Sequence, residues 1–153
     1  MPKSETDKGY TISITVPSSV HMLGVIDKLV EGLGDHLDLG PEDRNALAIS
    51  VIEAGTNAIQ HGNNYDESKP VDLRFDIKPE RIAVTVRDTG QGFDLEKVEK
   101  DLEAADLLRY RGRGILIMRE LMDEVAFRFG KRGTTVKLAK TLHPRDGDGD
   151  GEK

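Results

Sequence analysis

ISVIEAGTNAIQHG, residues 49–62, is the stretch on which the fold turns. Residues placed every ~100° around a helix put Leu47, Ala48, Val51, Ile52, Gly55, Ala58 and Ile59 on one broad side. That spacing predicts one amphipathic helix running through to Gly62. Glu53 and Asn57 stand one turn apart, so their side chains stack on a shared face. With Gln60 they fall opposite the apolar side, which predicts that they face away from the core. An acid and an amide stacked this way can serve as a base and a metal ligand, or equally as two polar residues on a wet surface. Gly55 sits mid-helix at a cost of about 1 kcal/mol relative to Ala. Its place on the packed side predicts close approach of a neighbour.

Toward the N-terminus, Pro41-Glu42-Asp43 opens this helix, with proline in the first turn and acids at the positive end of the dipole. Further back, TISITV alternates Ile12, Ile14 and Val16 against Thr and Ser, a half-buried strand. Pro17 ends it, and Ser18 is the expected N-cap of a helix carrying Val20, Leu23, Ile26, Leu29, Val30 and Leu33. That helix should stop near Gly32 and Gly34, leaving Asp35–Gly40 as a loop.

On the other side, a polar loop at Asn63–Pro70 leads into strands Val71–Lys78 and Arg81–Asp88, joined at Pro79-Glu80. Asp88 shares the parity of Ile82, Val84 and Val86, so it should point to the buried side, where a carboxylate needs a partner. Thr89-Gly90-Gln91-Gly92 breaks the strand. Residues 93–111 are charged and loosely periodic, with a short helix expected near Leu95–Ala104 and a mobile loop after it. Gly112-Arg113-Gly114 opens an apolar helix, Ile115–Met122. Strands Glu124–Phe129 and Thr134–Lys140 close the domain through Gly130–Gly133. Thr134 shares the inward parity of Val136 and Leu138, and Thr135 faces outward.

The 153 residues suffice for one domain, expected over 10–142, between polar tails at 1–9 and 143–153. A formal net charge of −6 argues against direct binding of nucleic acid through a broad basic field. The absence of cysteine excludes disulfides, a thiolate nucleophile and a Cys-based zinc site. No apolar run approaches the ~20 residues that span a bilayer, and MPKSETDKGY lacks the apolar segment of a signal peptide. The expectation is a cytoplasmic protein without a membrane partner.

Asp146, Asp148, Asp150 and Gly151 imitate the start of an EF-hand loop. The Glu required at loop position twelve falls past Lys153, so a solvated acidic tail is the better reading. His61 has no second ligand at a spacing such as HExxH; it reads as a helix-terminal His beside the negative dipole end. Neither Gly90-x-Gly92 nor Gly112-x-Gly114 extends to GxGxxG, and no GxxxxGK[ST] occurs, which argues against Rossmann and P-loop sites.

The ordered set carries more than its members. It comprises a helix with Glu-x-x-x-Asn, a strand ending in an inward Asp before Thr-Gly-Gln-Gly, a charged segment, and a Gly-x-Gly helix start. A strand bearing Gly133-Thr134 completes it. Together these parts can hold a nucleotide. Asp88 can accept from an adenine amino group, and glycines let backbone approach a base and a ribose. The helix start at Gly112–Ile115 offers free N–H groups to phosphates. Asn57 offers a neutral oxygen to Mg²⁺, which takes few protein ligands beside phosphates and water.

The runs EAGTNAIQHG, DTGQG and GRGILIM resemble the conserved boxes of the GHKL ATPase/kinase superfamily, to which histidine kinase catalytic domains and gyrase belong. In its shortness and its E-A-x-T-N-A-I-x-H form the chain is most similar to the anti-sigma-factor serine/threonine kinases. The resemblance covers about residues 10–140. It implies an α+β fold: a two-layer sandwich of the Bergerat type, with a mixed, mostly antiparallel sheet and helices packed on one face. It implies ATP and Mg²⁺, with Asn57 as the metal ligand and Glu53 as the general base. Asp88 would read adenine, with Gly90 and Gly92 beside the nucleotide, 93–111 as the ATP lid, and Gly112 and Gly114 at the phosphates. Thr134 would close the adenine side, and Lys97, Lys100, Arg109, Arg111 and Arg113 are candidate phosphate contacts. The implied partners are a STAS-domain anti-sigma antagonist as protein substrate and an RNA polymerase sigma factor, in transcription regulation such as a stress response. Family members commonly form homodimers.

Two rival readings accompany this one. The first is an ATP-binding sequestration module with little kinase activity, against which the presence of Glu53 weighs. The second is a histidine-kinase-type catalytic domain working with a separate phospho-acceptor domain. None of His21, His36, His61 and His143 stands in a His-Glu-x-x-x-x-Pro setting.

Overall fold

Strand alternation lays down the sheet. The computed structural model describes residues 8–90 and 114–143. The chain runs β1 (Tyr10–Val16), α1 (Met22–His36), α2 (Pro41–Thr56), a π-helical turn (Asn57–Gly62), β2 (Val71–Lys78) and β3 (Arg81–Arg87). After 91–113 come α3 (Gly114–Leu121), β4 (Glu124–Gly130) and β5 (Gly133–Thr141). The five strands are ordered β1-β2-β3-β5-β4, and every pairing among the described residues is antiparallel. Phe75 lies opposite Val84, and Val84 opposite Leu138, so one face of the sheet is a continuous apolar layer. A one-residue slip would turn all of these side chains to solvent, which fixes the register.

The three helices cover that face, giving the expected two-layer α+β sandwich with helices on one side. The expected lid at 93–111 with its helix near Leu95–Ala104, the residues Gly92, Gly112 and Arg113, the basic residues of the lid, and both tails (1–7 and 144–153) lie outside the described residues.

Three local expectations need correction. Ser18 is not the N-cap of α1: the helix starts at Met22 after His21, without a side-chain cap. Ser18 is buried and donates to Lys69 O at 2.6 Å. Secondly, α1 does not stop at Gly32 or Gly34 but runs to His36, because those glycines sit within an otherwise unbroken apolar periodicity. Gly34 instead lets the Arg44 side chain pack against the helix, while Arg44 Nε donates to Leu39 O at 2.7 Å.

The third correction concerns the opening stretch. It is not one uniform α-helix, nor is it wet on the Glu/Asn side. α2 is the middle helix of the layer: α1 packs against one flank and α3 against the other. Ala46, Leu47, Ser50, Val51, Ala54 and Gly55 are all buried, spread around about half of the circumference. On the α1 flank, a Cβ at Gly55 would stand 3.5 Å from Leu23 Cδ2 and 3.6 Å from Ile26 Cδ1, the expected close neighbour. Asp43, in the first turn, does more than face the dipole. It is buried, accepts from His143 N at 2.6 Å and lies 3.8 Å from Lys140 Nζ, tying the start of α2 to the end of β5.

From Asn57 the helix widens into a π turn, in which Asn63 N donates to Ala58 O at 2.8 Å, five residues back. Thr56 Oγ1 donates to Ile52 O at 2.7 Å, a side-chain bond of the kind that loosens the i→i−4 ladder at this point.

Candidate nucleotide site

Asp88 continues the inward parity of β3 and is 2% exposed. Burial of a carboxylate demands donors, and the adjoining backbone supplies them. Thr134 N donates to Asp88 Oδ1 at 3.0 Å and Gly90 N to the same oxygen at 3.3 Å. In return Asp88 N donates to Thr134 O at 3.0 Å. The structure thus brings Asp88, Gly90 and Thr134 together, with both side chains on the helix side of the sheet as their parities predict.

Three glycines press on this carboxylate's surroundings. A Cβ on Gly62 would stand 2.8 Å from Asp88 Cβ and collide with the carboxyl group. One on Gly90 would stand 2.7 Å from Gly62 C and strike the carbonyl oxygen. Gly133, at φ +129°, would place a Cβ 2.9 Å from Asp88 C. Only glycine fits at each of these positions, so the end of the π turn, the strand end and the start of β5 meet as bare backbone.

The start of the π turn forms the other half of the site. Asn57 is 3% exposed and Glu53 half-buried, one turn apart as expected. The backbone of Gly114, which opens α3, lies directly over them: a Cβ there would stand 2.6 Å from Glu53 Oε2 and 3.5 Å from Asn57 Nδ2. Glu53, Asn57 and Gly114 therefore converge. The π turn joins this group to Asp88, carrying Asn57 at one end and Gly62 at the other. Among the described residues no group of three or more His, Asp or Glu is arranged to hold a metal. A lone amide oxygen beside a carboxylate suits Mg²⁺, which completes its shell with phosphate oxygens and water, rather than zinc.

Sequence reasoning missed the element that frames the site. Asn63 is 1% exposed. Its Nδ2 donates to Ser18 Oγ at 2.8 Å and to Lys69 O and Pro70 O at 3.0 Å each, and its Oδ1 accepts from Thr89 N at 3.0 Å. One side chain thus fixes the loop after the π turn and the residue between Asp88 and Gly90. The only sequence signal was an amide directly after a helix-ending glycine, which points to local backbone partners rather than to the four that the fold brings. Gly62 stood in the opening stretch and was assigned no role.

Comparison with known proteins identifies the family. The histidine kinase-like ATPase domain family matches residues 16–140. The serine-protein kinase RsbW of Bacillus velezensis is 31% identical over 138 residues, covering 86% of each chain. That of Bacillus subtilis is 32% identical over the same length and shares. Among solved structures, the RsbU and RsbW domains of a Mycobacterium tuberculosis protein superpose with a TM-score of 0.66 at 16% identity. That match covers 88% of this chain and 33% of the other, so the chain spans about a third of it. The catalytic domain of histidine kinase ThkA superposes at 0.52 with 13% identity, covering 88% of this chain and 99% of that domain. These two likenesses concern the fold. The chain belongs to the histidine kinase-like ATPase (GHKL) family, its relatives include the RsbW serine-protein kinases, and it is an ATP-binding domain.

Proposed function

We propose that this chain, as a member of that family, transfers the terminal phosphoryl group of Mg²⁺-bound ATP to a serine or threonine hydroxyl of a STAS-domain anti-sigma antagonist. In the alternate state of the switch it holds a sigma factor. The observation that carries this reading is the convergence of Glu53 and Asn57 on the backbone of Gly114, joined through one π turn to Asp88. Kinship with serine-protein kinases over 86% of the chain makes it a protein kinase of the serine/threonine type.

In this reading Asp88 accepts from the adenine amino group. Thr134, Gly90 and Gly92 line the base, and Gly112, Arg113 and Gly114 approach the phosphates, with 93–111 as the lid. Asn57 holds Mg²⁺, whose charge, when bound, offsets that of the phosphates. Glu53 takes or orients the proton of the attacking hydroxyl. Orientation and charge neutralisation account for most of such a transfer. The proposed setting is the cytoplasm, in control of transcription.

The test incubates the protein with γ-labelled ATP and STAS proteins of the same genome. Label should appear on a partner's Ser or Thr and survive acid. Glu53→Gln should abolish transfer while sparing ATP affinity, and Asn57→Ala should impair both. Transfer at the normal rate by Glu53→Gln would remove Glu53 from its role. Label lost in acid but kept in base would mean phosphohistidine and overturn the hydroxyl acceptor.

A further inference from the structure

The outer face of the sheet, turned away from the helices, carries a cationic cleft. Arg87 ends β3 and Arg128 lies in β4, and both stand opposite Thr135 of β5, one on each side. With strands about 4.8 Å apart, the two arginine positions are separated by about 10 Å, with the threonine between them. Lys131 and Arg132, at the tip of the β4–β5 hairpin, join Gly130 and Gly133 in lining a shallow, open cleft of about 340 Å³.

All four cations are exposed, and among the described residues none has a carboxylate within ion-pair distance. Elsewhere on the surface Arg44, Arg74 and Arg81 pair with Asp35, Asp76 and Glu124. Asp72, the cross-strand neighbour of Arg87, accepts instead from Thr15 Oγ1 at 2.6 Å. A chain of net charge −6 thus gathers around one cleft four cations that have no ion pair among the described residues. Four like charges around one cleft repel each other, and an entering anion relieves that repulsion.

We propose that this cleft binds an acidic, carboxylate-bearing segment of a protein partner. Arginine forks match carboxylates bidentately, and two of them flank a hydroxyl donor here. Single-stranded nucleic acid fits poorly. It requires aromatic faces for stacking, whereas Phe127 and Phe129 have the opposite parity to Arg128 and so belong to the helix side of β4. The acidic remainder of the chain also repels a long polyanion. The cleft adjoins the nucleotide site at Gly133 but opens on the other face of the sheet: Thr134 faces Asp88 and Thr135 faces the cleft, on opposite sides of one strand. The proposal therefore stands independently of the phosphotransfer reading.

The experiment titrates a fluorescein-labelled oligoglutamate peptide against the full chain at low and high salt, with ATP affinity measured alongside. The double reversal Arg128→Glu/Lys131→Glu should weaken peptide binding by about tenfold or more and flatten its salt dependence, leaving ATP affinity unchanged. The milder Arg87→Gln/Arg132→Gln pair should give an intermediate loss, which guards against misfolding as the cause. Reversal at Lys28→Glu, on α1, should leave peptide binding as it was. Equal peptide binding by wild type and the hairpin variants overturns the proposal. So does tighter binding of a single-stranded oligonucleotide of equal charge than of the peptide, or a parallel loss of ATP affinity in the hairpin variants.

Discussion

Replacing Gly62 with Ala tests the packing around Asp88 by adding one carbon. That carbon would fall 2.8 Å from Asp88 Cβ and closer still to the carboxyl group, where a real Cβ stays beyond about 3.0 Å. The carboxylate must therefore move by on the order of 1 Å, which breaks its contacts with Thr134 N at 3.0 Å and Gly90 N at 3.3 Å. Hydrogen bonds to a charged group contribute about 1.5–3 kcal/mol each, so about 3–6 kcal/mol is at risk. Replacing glycine in a helical turn returns about 1 kcal/mol. The expected net loss is about 2–5 kcal/mol, a large part of the ~5–15 kcal/mol that holds such a domain together. Urea unfolding at constant slope reads the stability, and a nucleotide titration reads the site. Gly55→Ala is the internal control, seven residues earlier: its nearest neighbours stand at 3.5 and 3.6 Å, ordinary contact distances. It should stabilise by about 0.5–1 kcal/mol without touching ATP affinity. If Gly62→Ala unfolds at the wild-type midpoint and binds ATP normally, the account of Asp88 as a carboxylate wedged between glycines is refuted.

Asn63→Ala should cost about 2 kcal/mol or more, because it strands Thr89 N and Pro70 O in a part-buried setting, while Lys69 O, the other carbonyl it serves, keeps Ser18 Oγ; thermal or urea unfolding measures it, and a loss below about 1 kcal/mol contradicts the framing role. Asn63→Asp should not rescue, since a carboxylate cannot donate to those two carbonyls. Asp123 predicts a pH effect. The backbone N–H of Thr141 holds its pKa below the ordinary carboxylate value of 3.8, so its contribution is present above that value and is lost as pH falls through the depressed one. Wild-type stability should therefore fall more steeply than that of Asp123→Asn between about pH 5 and about pH 3, and equal slopes in denaturant titrations at each pH would count against it.

The sheet was legible because period-two alternation has a single interpretation when one face is buried. Val71–Lys78 is found with unchanged bounds, and Asp88 and Thr134 took the faces that parity assigned them. Helix α2 was less legible for a physical reason. Packed by α1, α3 and the sheet, it has no single apolar stripe, and the polar face that a helical wheel draws through Glu53 and Asn57 is the flank covered by α3. Ser18 misled for a related reason: a serine before a helical periodicity is a cap by default, yet this one is held 51 residues away by Lys69 O. Asn63 went unread because its partners come from four separate positions that only the fold brings together.

The π turn explains why one short stretch can serve both halves of the site. A turn closed five residues back contains one residue more than an α turn, so everything after it is displaced by one position, about 100° around the axis. With the α ladder continued from Asn57, the place against Asp88 now held by Gly62 would pass to the residue before it, His61. An imidazole there would have to enter space in which even a methyl carbon collides. The widened turn leaves Asn57 in register with Glu53 at its start, because the α ladder is intact up to Thr56. At its end it delivers a glycine to the carboxylate and Asn63 to the loop behind it. The sequence His61-Gly62-Asn63 is therefore usable only in the π register, and the bulge in the helix is the condition under which one end meets Gly114 and the other meets Asp88.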